Sequence, residues 1–380
     1  MKNIYLLAII SLLTDVHSEI IMSILPIFMV EELKIGRTGV GIIEGISDTL
    51  TSFLKLWSGW ISDRFGRKKP FVVAGYTIST ISKSFMAFAR GAFDVLLIRV
   101  IDRIGKGIRT SPRDALISES VSFEVRGRAF GIHRAADTMG AIIGSLSATA
   151  GMGLIGLAPR RLFIYAILPG VLASLLTLFI KERVKEKTQP RVQTSSYKPE
   201  KAATFFFITH TIFTMGSLSY AFYLLKLREA GFSPSLVPAG YFLFNLVYAG
   251  MAYPLGILSD RLGGFRVLLG GYLVHTLINF LAIFTYSLPL GIFLMIGYGM
   301  GMGITEAVGR RAVADLSKAG ERGRAYGIFH FLLGIVIFPA NAFAGYLWDN
   351  FGSKFAFTFG ASMCFMAFIM MACFLKIQKR

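Results

Sequence analysis

The stretch Gly59-Trp60-Ile61-Ser62-Asp63-Arg64-Phe65-Gly66-Arg67-Lys68-Lys69 lies between two long apolar runs. It is short, carries two glycines, and gathers four basic residues between positions 64 and 69. A second copy, Gly256-Ile257-Leu258-Ser259-Asp260-Arg261-Leu262-Gly263-Gly264-Phe265-Arg266, follows 197 residues later. In a chain of 380 residues, a repeat at that offset predicts two copies of one unit. Two more repeats agree. Arg126-Gly-Arg-Ala-Phe-Gly131 returns as Arg322-Gly-Arg-Ala-Tyr-Gly327, and Gly105-Lys-Gly107 as Gly301-Met-Gly303, both 196 residues on.

Composition says what kind of unit this is. The chain is 54% hydrophobic and 16% charged, against about 25% charged for a soluble domain. Its 34 Phe and 40 Gly fit membrane helices, where glycine is more frequent than in soluble ones. A net charge of +18 is a possible nucleic-acid footprint. Here the bases sit in short loops between apolar runs, so a membrane orientation signal explains them and no nucleic-acid partner is expected. Cys364 and Cys373 share the last apolar run without metal spacing and read as core residues. The first 30 residues contain Asp15, His17 and Glu19 and lack a clear small-residue cleavage site, so they do not read as a cleaved leader.

A membrane helix needs about 20 mostly apolar residues. That rule predicts twelve spans, near 4–30, 38–61, 70–89, 93–118, 126–150, 161–181, 203–226, 235–259, 265–285, 288–314, 324–347 and 354–376. One set of loops holds the 64–69 cluster, Arg126 and Arg128, Arg261 and Arg266, the 318–324 cluster and the basic tail. The opposite loops hold far fewer bases. The basic side is therefore expected to be cytoplasmic, with both termini on it. The polar run Lys181–Lys201 has two prolines and no apolar periodicity, as a connector would. The expected organisation is a six-helix bundle over 1–180, a cytoplasmic linker over 181–203 and a second bundle over 204–380.

These features together resemble the major facilitator superfamily along the whole chain. The Gly59–Lys69 stretch is similar to its loop signature G-x-x-x-D-R-x-G-R-[RK], with every specified position present; in the second copy Gly264 and Phe265 replace the basic pair. The resemblance implies an all-α fold of twelve transmembrane helices, in two bundles related by a pseudo-two-fold axis. It implies a central cavity lined by spans 1, 4, 7 and 10 and walled by spans 2, 5, 8 and 11. It also places Asp63 against the N-terminal end of the eleventh span, where a carboxylate is favourable. Gly59, Asp63, Arg64, Gly66, Arg67 and Lys68, with Asp260 and Arg261, would then form a conformational latch. Likeness to drug/proton exporters is partial. Their R-x-x-Q-G-x-G reads Arg99-Val-Ile-Asp102-Arg103-Ile-Gly105 here, and the proline expected after Gly144 is Ser145.

An ionisable residue inside a membrane helix is costly and marks a functional candidate. Asp15 and Glu19 are four apart in the first span, as are Glu44 and Asp48 in the second, so each pair shares a helix face. The fourth span carries Arg99, Asp102, Arg103, Lys106, Arg109 and Arg113 at spacings that make one polar stripe. The fifth carries His133, Arg134 and Asp137. Asp15, Glu19, Glu44, Asp48, Arg103, Lys106, Arg109, His133, Arg134 and Asp137 are the expected substrate and proton residues. The same acids also suit a structural role, pairing with the fourth-span bases to hold the bundle together. The seventh and eighth spans are instead aromatic, with Phe205, Phe206, Phe207, Phe213, Tyr220, Phe222, Tyr223, Tyr241, Phe242, Phe244 and Tyr248.

The expected function is secondary transport by alternating access: proton-coupled export of an amphiphilic organic compound. The other transport reading is organic-anion uptake or exchange, with the fourth-span bases as a substrate clamp. A receptor or lipid scramblase that kept the fold is a third. Gly299-Met-Gly301-Met-Gly303 follows no strand and is no nucleotide loop, so an ion gradient and not ATP is the expected energy source. No cofactor, metal or enzymatic chemistry is expected. The expected partners are a small-molecule substrate, protons and the bilayer of the cell inner membrane, around a monomer.

Overall fold

The computed structural model describes residues 2–65, 67–122, 125–182, 200–317 and 322–377. Every regular element among them is helical. In hydrocarbon a helix satisfies its backbone N–H and C=O groups within one segment, which an isolated strand cannot do. The α-helices are α1 (Lys2–Ile27), α2 (Arg37–Phe65), α3 (Lys69–Ser84), α4 (Ala92–Glu119), α5 (Arg126–Gly153), α6 (Pro159–Leu176) and α7 (Lys201–Gly216). They continue as α8 (Tyr220–Glu229), α9 (Val237–Leu262), α10 (Gly264–Ile283), α11 (Leu288–Asp315), α12 (Arg322–Phe351) and α13 (Ser353–Ile377). Because α7 and α8 are two pieces of one stretch, these thirteen helices make twelve spans.

Among the described residues, eight stretches are long and apolar enough to cross a membrane by length and composition alone. The other four spans are α2, α4, α5 and α9. Charges interrupt the first three, and the apolar part of α9 is the shorter Val237–Met251. Large apolar side chains such as Phe93, Leu168, Phe179 and Phe293 face outward, as they do where the solvent is lipid.

Local chemistry sets the ends. Proline opens α6 and sits in the first turn of α3, where a missing N–H costs nothing. Past Pro26, α1 widens into a π turn over Phe28–Glu32, closed by Leu33 N–H donating to the Phe28 carbonyl at 3.0 Å. The break between α9 and α10 falls on Gly263, at φ +88. That left-handed conformation explains the glycine of the second loop copy.

The seventh span breaks at Ser217-Leu218-Ser219, and two asparagines satisfy the freed backbone groups. Ser219 N–H donates to Asn341 Oδ1 at 2.9 Å, and Asn279 Nδ2 donates to the Gly216 carbonyl at 3.2 Å. Such a break at membrane depth persists only where protein supplies those partners.

The chain clusters into two compact units. Unit 1 is Met1–Lys34, Leu50–Thr194 and Pro234–Phe242. In it α1 packs on α5 and α6, and α3 on α4, around Ile4, Leu7, Ile10, Val72, Tyr76 and Ile117. Unit 2 is Ile35–Thr49, Ser195–Ser233 and Leu243–Arg380. Here α10 packs on α11 and α13 over an aromatic core, with the Phe213 and Tyr272 rings stacked at 4.4 Å.

The helix α2 is divided between them: its first part belongs with unit 2, where Asp349 of α12 caps it. The Asp349 carboxylate accepts from the backbone N–H of Arg37 (2.9 Å) and Thr38 (2.8 Å) and from the Thr38 hydroxyl (2.8 Å). Carboxylates suit this place, because the first turn of a helix leaves its N–H groups unpaired. At the other end of the segment, Thr49 Oγ1 donates to the Gly334 carbonyl at 2.7 Å.

Candidate functional site

In unit 1 the site starts from two glycines of α5. A Cβ at position 140 would lie 2.5 Å from the Leu12 carbonyl oxygen and 2.8 Å from Asp15 Cβ. One at position 144 would lie 2.8 Å from the Val16 carbonyl oxygen and 2.9 Å from Glu19 Cβ. The missing side chains let α1 approach α5 backbone to backbone, as small residues four apart do in membranes. The two acids of α1 therefore stand along this seam in the same four-residue register as the glycines.

Asp137 lies on the same side of α5. Ser11 Oγ donates to its Oδ1, and His133 Nδ1 is 3.4 Å from the same oxygen. The charges that act on Asp15 are the carboxylates Asp137 and Glu19 and the cations Lys106 and Arg109. Those acting on Glu19 are Lys106, Lys83 and Arg103. Predicted residues of α1, α4 and α5 thus meet in one unit. Arg134, one position past His133, is exposed and turns to a different side of α5.

The α4 row splits by environment. Lys106 is exposed, Arg103 half-buried and Arg109 buried. The Arg109 guanidinium lies 4.2 Å from the Tyr76 ring centroid, a cation–π contact. Its Nε and Nη1 have no hydrogen-bond partner among the described residues, and neither has the Tyr76 hydroxyl. Arg99, fully buried, donates from Nη1 to Met22 Sδ at 2.9 Å.

One buried pair lies outside the predicted set. Lys83 of α3 is 3.4 Å from Asp102 of α4, and its Nζ donates to Ser18 of α1 at 2.5 Å. Ser79 Oγ donates to the same Asp102 oxygen at 2.5 Å. This knot ties three helices together and reaches α1 at Ser18, the residue before Glu19. Lys83 stands within an apolar run and is found by the rule that found the acids, once its position near the run's end is not taken for a loop flank.

Glu44 and Asp48 belong to the other unit. They sit on the α2 segment that packs with unit 2, where Tyr298 of α11 feels Asp48, Glu306 and Glu44. Tyr298 stacks on Tyr223 at 4.0 Å and on Phe244 at 4.8 Å, and Tyr248 Oη donates to Glu306. The spacing showed that Glu44 and Asp48 share a face, but not which helices that face meets. Much of the aromatic stripe is core: Phe206, Phe207, Phe222 and Tyr223 are buried.

Of the expected latch residues, the side chains of Asp63 and Arg64, and all of Gly66, lie outside the described residues, while Gly59 falls within α2. Arg67 is exposed. Lys68 pairs with Glu119 at 2.5 Å. In the second copy Arg261 is exposed, and Asp260 is paired with Arg311 of α11. The base that this loop lacks at Gly264 and Phe265 is thus supplied from a neighbouring helix.

The Major Facilitator Superfamily profile matches residues 7–274 and 204–380. The chain belongs to the major facilitator superfamily. An MFS-type transporter of Methanocaldococcus jannaschii is 33% identical over 377 residues, covering 96% of this chain and 93% of its own. The multidrug resistance protein MdtH of Aeromonas hydrophila is 23% identical, covering 90% of this chain and 86% of its own. Among solved structures, the nucleoside transporter NupG superposes with a TM-score of 0.75 at 16% identity, covering all of both chains. A POT family transporter bound to 5-aminolevulinic acid superposes at 0.80 and 12% identity, over 98% of this chain and 95% of its own. These structural likenesses show the fold. The superfamily member described here is a multi-pass membrane transporter of a small-molecule substrate and not an enzyme.

Proposed function

We propose that the chain exports an amphiphilic organic compound in exchange for protons, by alternating access between two six-helix halves, 1–180 and 204–380, joined by a cytoplasmic linker over 181–203. The observation that carries this reading is the α1–α5 seam. There Asp15 and Glu19 stand beside Gly140 and Gly144, with Lys106, Arg109 and Arg103 acting on them. Ionised carboxylates at that depth are costly without a base. When a proton neutralises one, its base is released, and the freed cation is what substrate or cavity closure answers. Asp137, with His133 and Ser11, forms a third acid at the seam and a reserve proton site. Asp63 and Arg67 would latch the cytoplasmic side, and Asp260 with Arg311 would do so in the second half. The chain acts in the inner membrane as a monomer with both termini inside. Similarity to MdtH supports export.

One observation favours organic-anion exchange as the second reading. Arg109 carries buried N–H donors at Nε and Nη1 with no partner among the described residues, and the oxygens of an anionic substrate suit donors of this kind. Both readings meet one experiment. Purified protein is screened by thermal shift against organic anions and lipophilic cations, and each stabilising compound is then offered to proteoliposomes with an imposed pH gradient. Gradient-driven accumulation of a lipophilic compound supports proton-coupled export. Exchange of anions that ignores the gradient supports the second reading.

A further inference from the structure

An open groove of 690 Å³ lies at the start of α3, outside the α1–α5 seam. Its walls are Arg67, Lys69, Pro70, Val73, Ala74, Thr77, Ile180 and Glu182. Pro70, Val73, Ala74 and Thr77 follow the spacing that sets residues on one helix face. They form a mostly apolar stripe about 10 Å long, at 1.5 Å per residue. The stripe therefore runs down about a third of the hydrocarbon thickness of a bilayer.

The mouth is cationic. Arg67 is exposed at it, and Lys69 donates one Nζ proton to the Leu178 carbonyl at 2.7 Å. An ammonium has three donors, so two remain. Glu182 is also at the mouth, but its carboxylate is turned to the chain: Oε1 accepts from Lys68 N–H at 2.5 Å and Oε2 from Lys69 N–H at 3.1 Å. The Lys68 and Lys69 amides are therefore taken, and the side chains of Arg67 and Lys69 are the cations that meet an anion at the mouth.

We propose that this groove binds an anionic phospholipid of the cytoplasmic leaflet, with its phosphate on Arg67 and Lys69 and one acyl chain along Val73, Ala74 and Thr77. The leaflet assignment rests on the cytoplasmic placement of the linker proposed above; the binding does not. Charge complementarity selects the occupant. Basic residues at the interface favour anionic headgroups, and an apolar wall continuous with them selects a lipid over a soluble phosphate. Lys69 tethers α3 to the turn after α6, and Glu182 tethers the start of the linker to α3. A lipid seated here therefore braces the cytoplasmic ends of two helices.

The test uses the full chain in detergent, so it depends on neither transport nor orientation. Native mass spectrometry follows retention of dioleoylphosphatidylglycerol and dioleoylphosphatidylcholine, with glycerol phosphate as a soluble competitor. Wild type is expected to hold the anionic lipid at least about tenfold more tightly. Ala74→Trp fills the groove without touching a charge and should abolish retention of both lipids at this site. Lys69→Gln leaves only Arg67 at the mouth and should reduce the preference severalfold while leaving weak binding of both. Lipid-free melting temperatures check that each variant folds, and either variant alone decides. Equal retention of the two lipids by wild type overturns the proposal, as does a wild-type preference in the folded variants. Full competition by glycerol phosphate also overturns it, because the apolar wall would then contribute nothing.

Discussion

Asp15 Cβ is 2.8 Å from where a Cβ on residue 140 would stand, and the Leu12 carbonyl is closer still. Position 140 therefore tolerates no side chain unless α1 moves. Gly140→Ala is expected to lower the melting temperature of the purified protein, at a cost of about 1–3 kcal/mol for overpacking. Gly131 of the same helix has open space around it, so Gly131→Ala should be neutral or slightly stabilising. Equal effects at the two positions would mean that the seam is not close-packed. The Asp349 cap predicts a second loss. Asp349→Ala strips three acceptor contacts from the start of α2 and leaves two backbone N–H groups unpaired. Loss of a side-chain cap of this kind costs about 0.5–2 kcal/mol. Asp349→Asn keeps one acceptor oxygen and should recover part of the melting temperature.

At the scale of elements, most of the architecture could be read from the sequence. Apolar runs of bilayer length set eight of the spans, the charge-interrupted α2, α4 and α5 and the short apolar part of α9 being the harder ones, and proline or glycine marked several ends. The break in the seventh span was hidden. Ser217-Leu218-Ser219 is polar enough to tolerate a break but carries no proline, and the groups that stabilise it arrive from Asn341 on α12 and Asn279 on α10. No local pattern announces such partners. The candidate site was legible in part for the same reason. Spacing of four put Asp15 with Glu19 and Glu44 with Asp48, but only packing assigns the second pair to unit 2. The break itself is testable. Asn341→Leu should leave Ser219 N–H unpaired and lower the melting temperature, whereas Asn350→Leu should do little, since Asn350 is exposed and, among the described residues, bonds to its own helix. An unchanged melting temperature in Asn341→Leu would mean that the break needs no partner.

For the whole molecule, the proposed transport cycle joins an orientation, a latch and a proton step. The Lys181–Lys201 connector should resist trypsin in sealed right-side-out vesicles and be cut in inverted ones; cleavage in the first case reverses the orientation. Asp63→Asn, which removes the latch charge and keeps the shape, should abolish transport in proteoliposomes at matched protein amount, and wild-type rates would remove the latch from the mechanism. The most direct measurement concerns the acids beside the glycine seam. Asp15→Asn and Glu19→Gln proteins are reconstituted with a compound that stabilises wild type, and its accumulation is followed after a pH jump. The account predicts that at least one of these variants binds the compound in a thermal-shift assay yet fails to accumulate it. Wild-type accumulation by both neutral variants under the same pH gradient would contradict it.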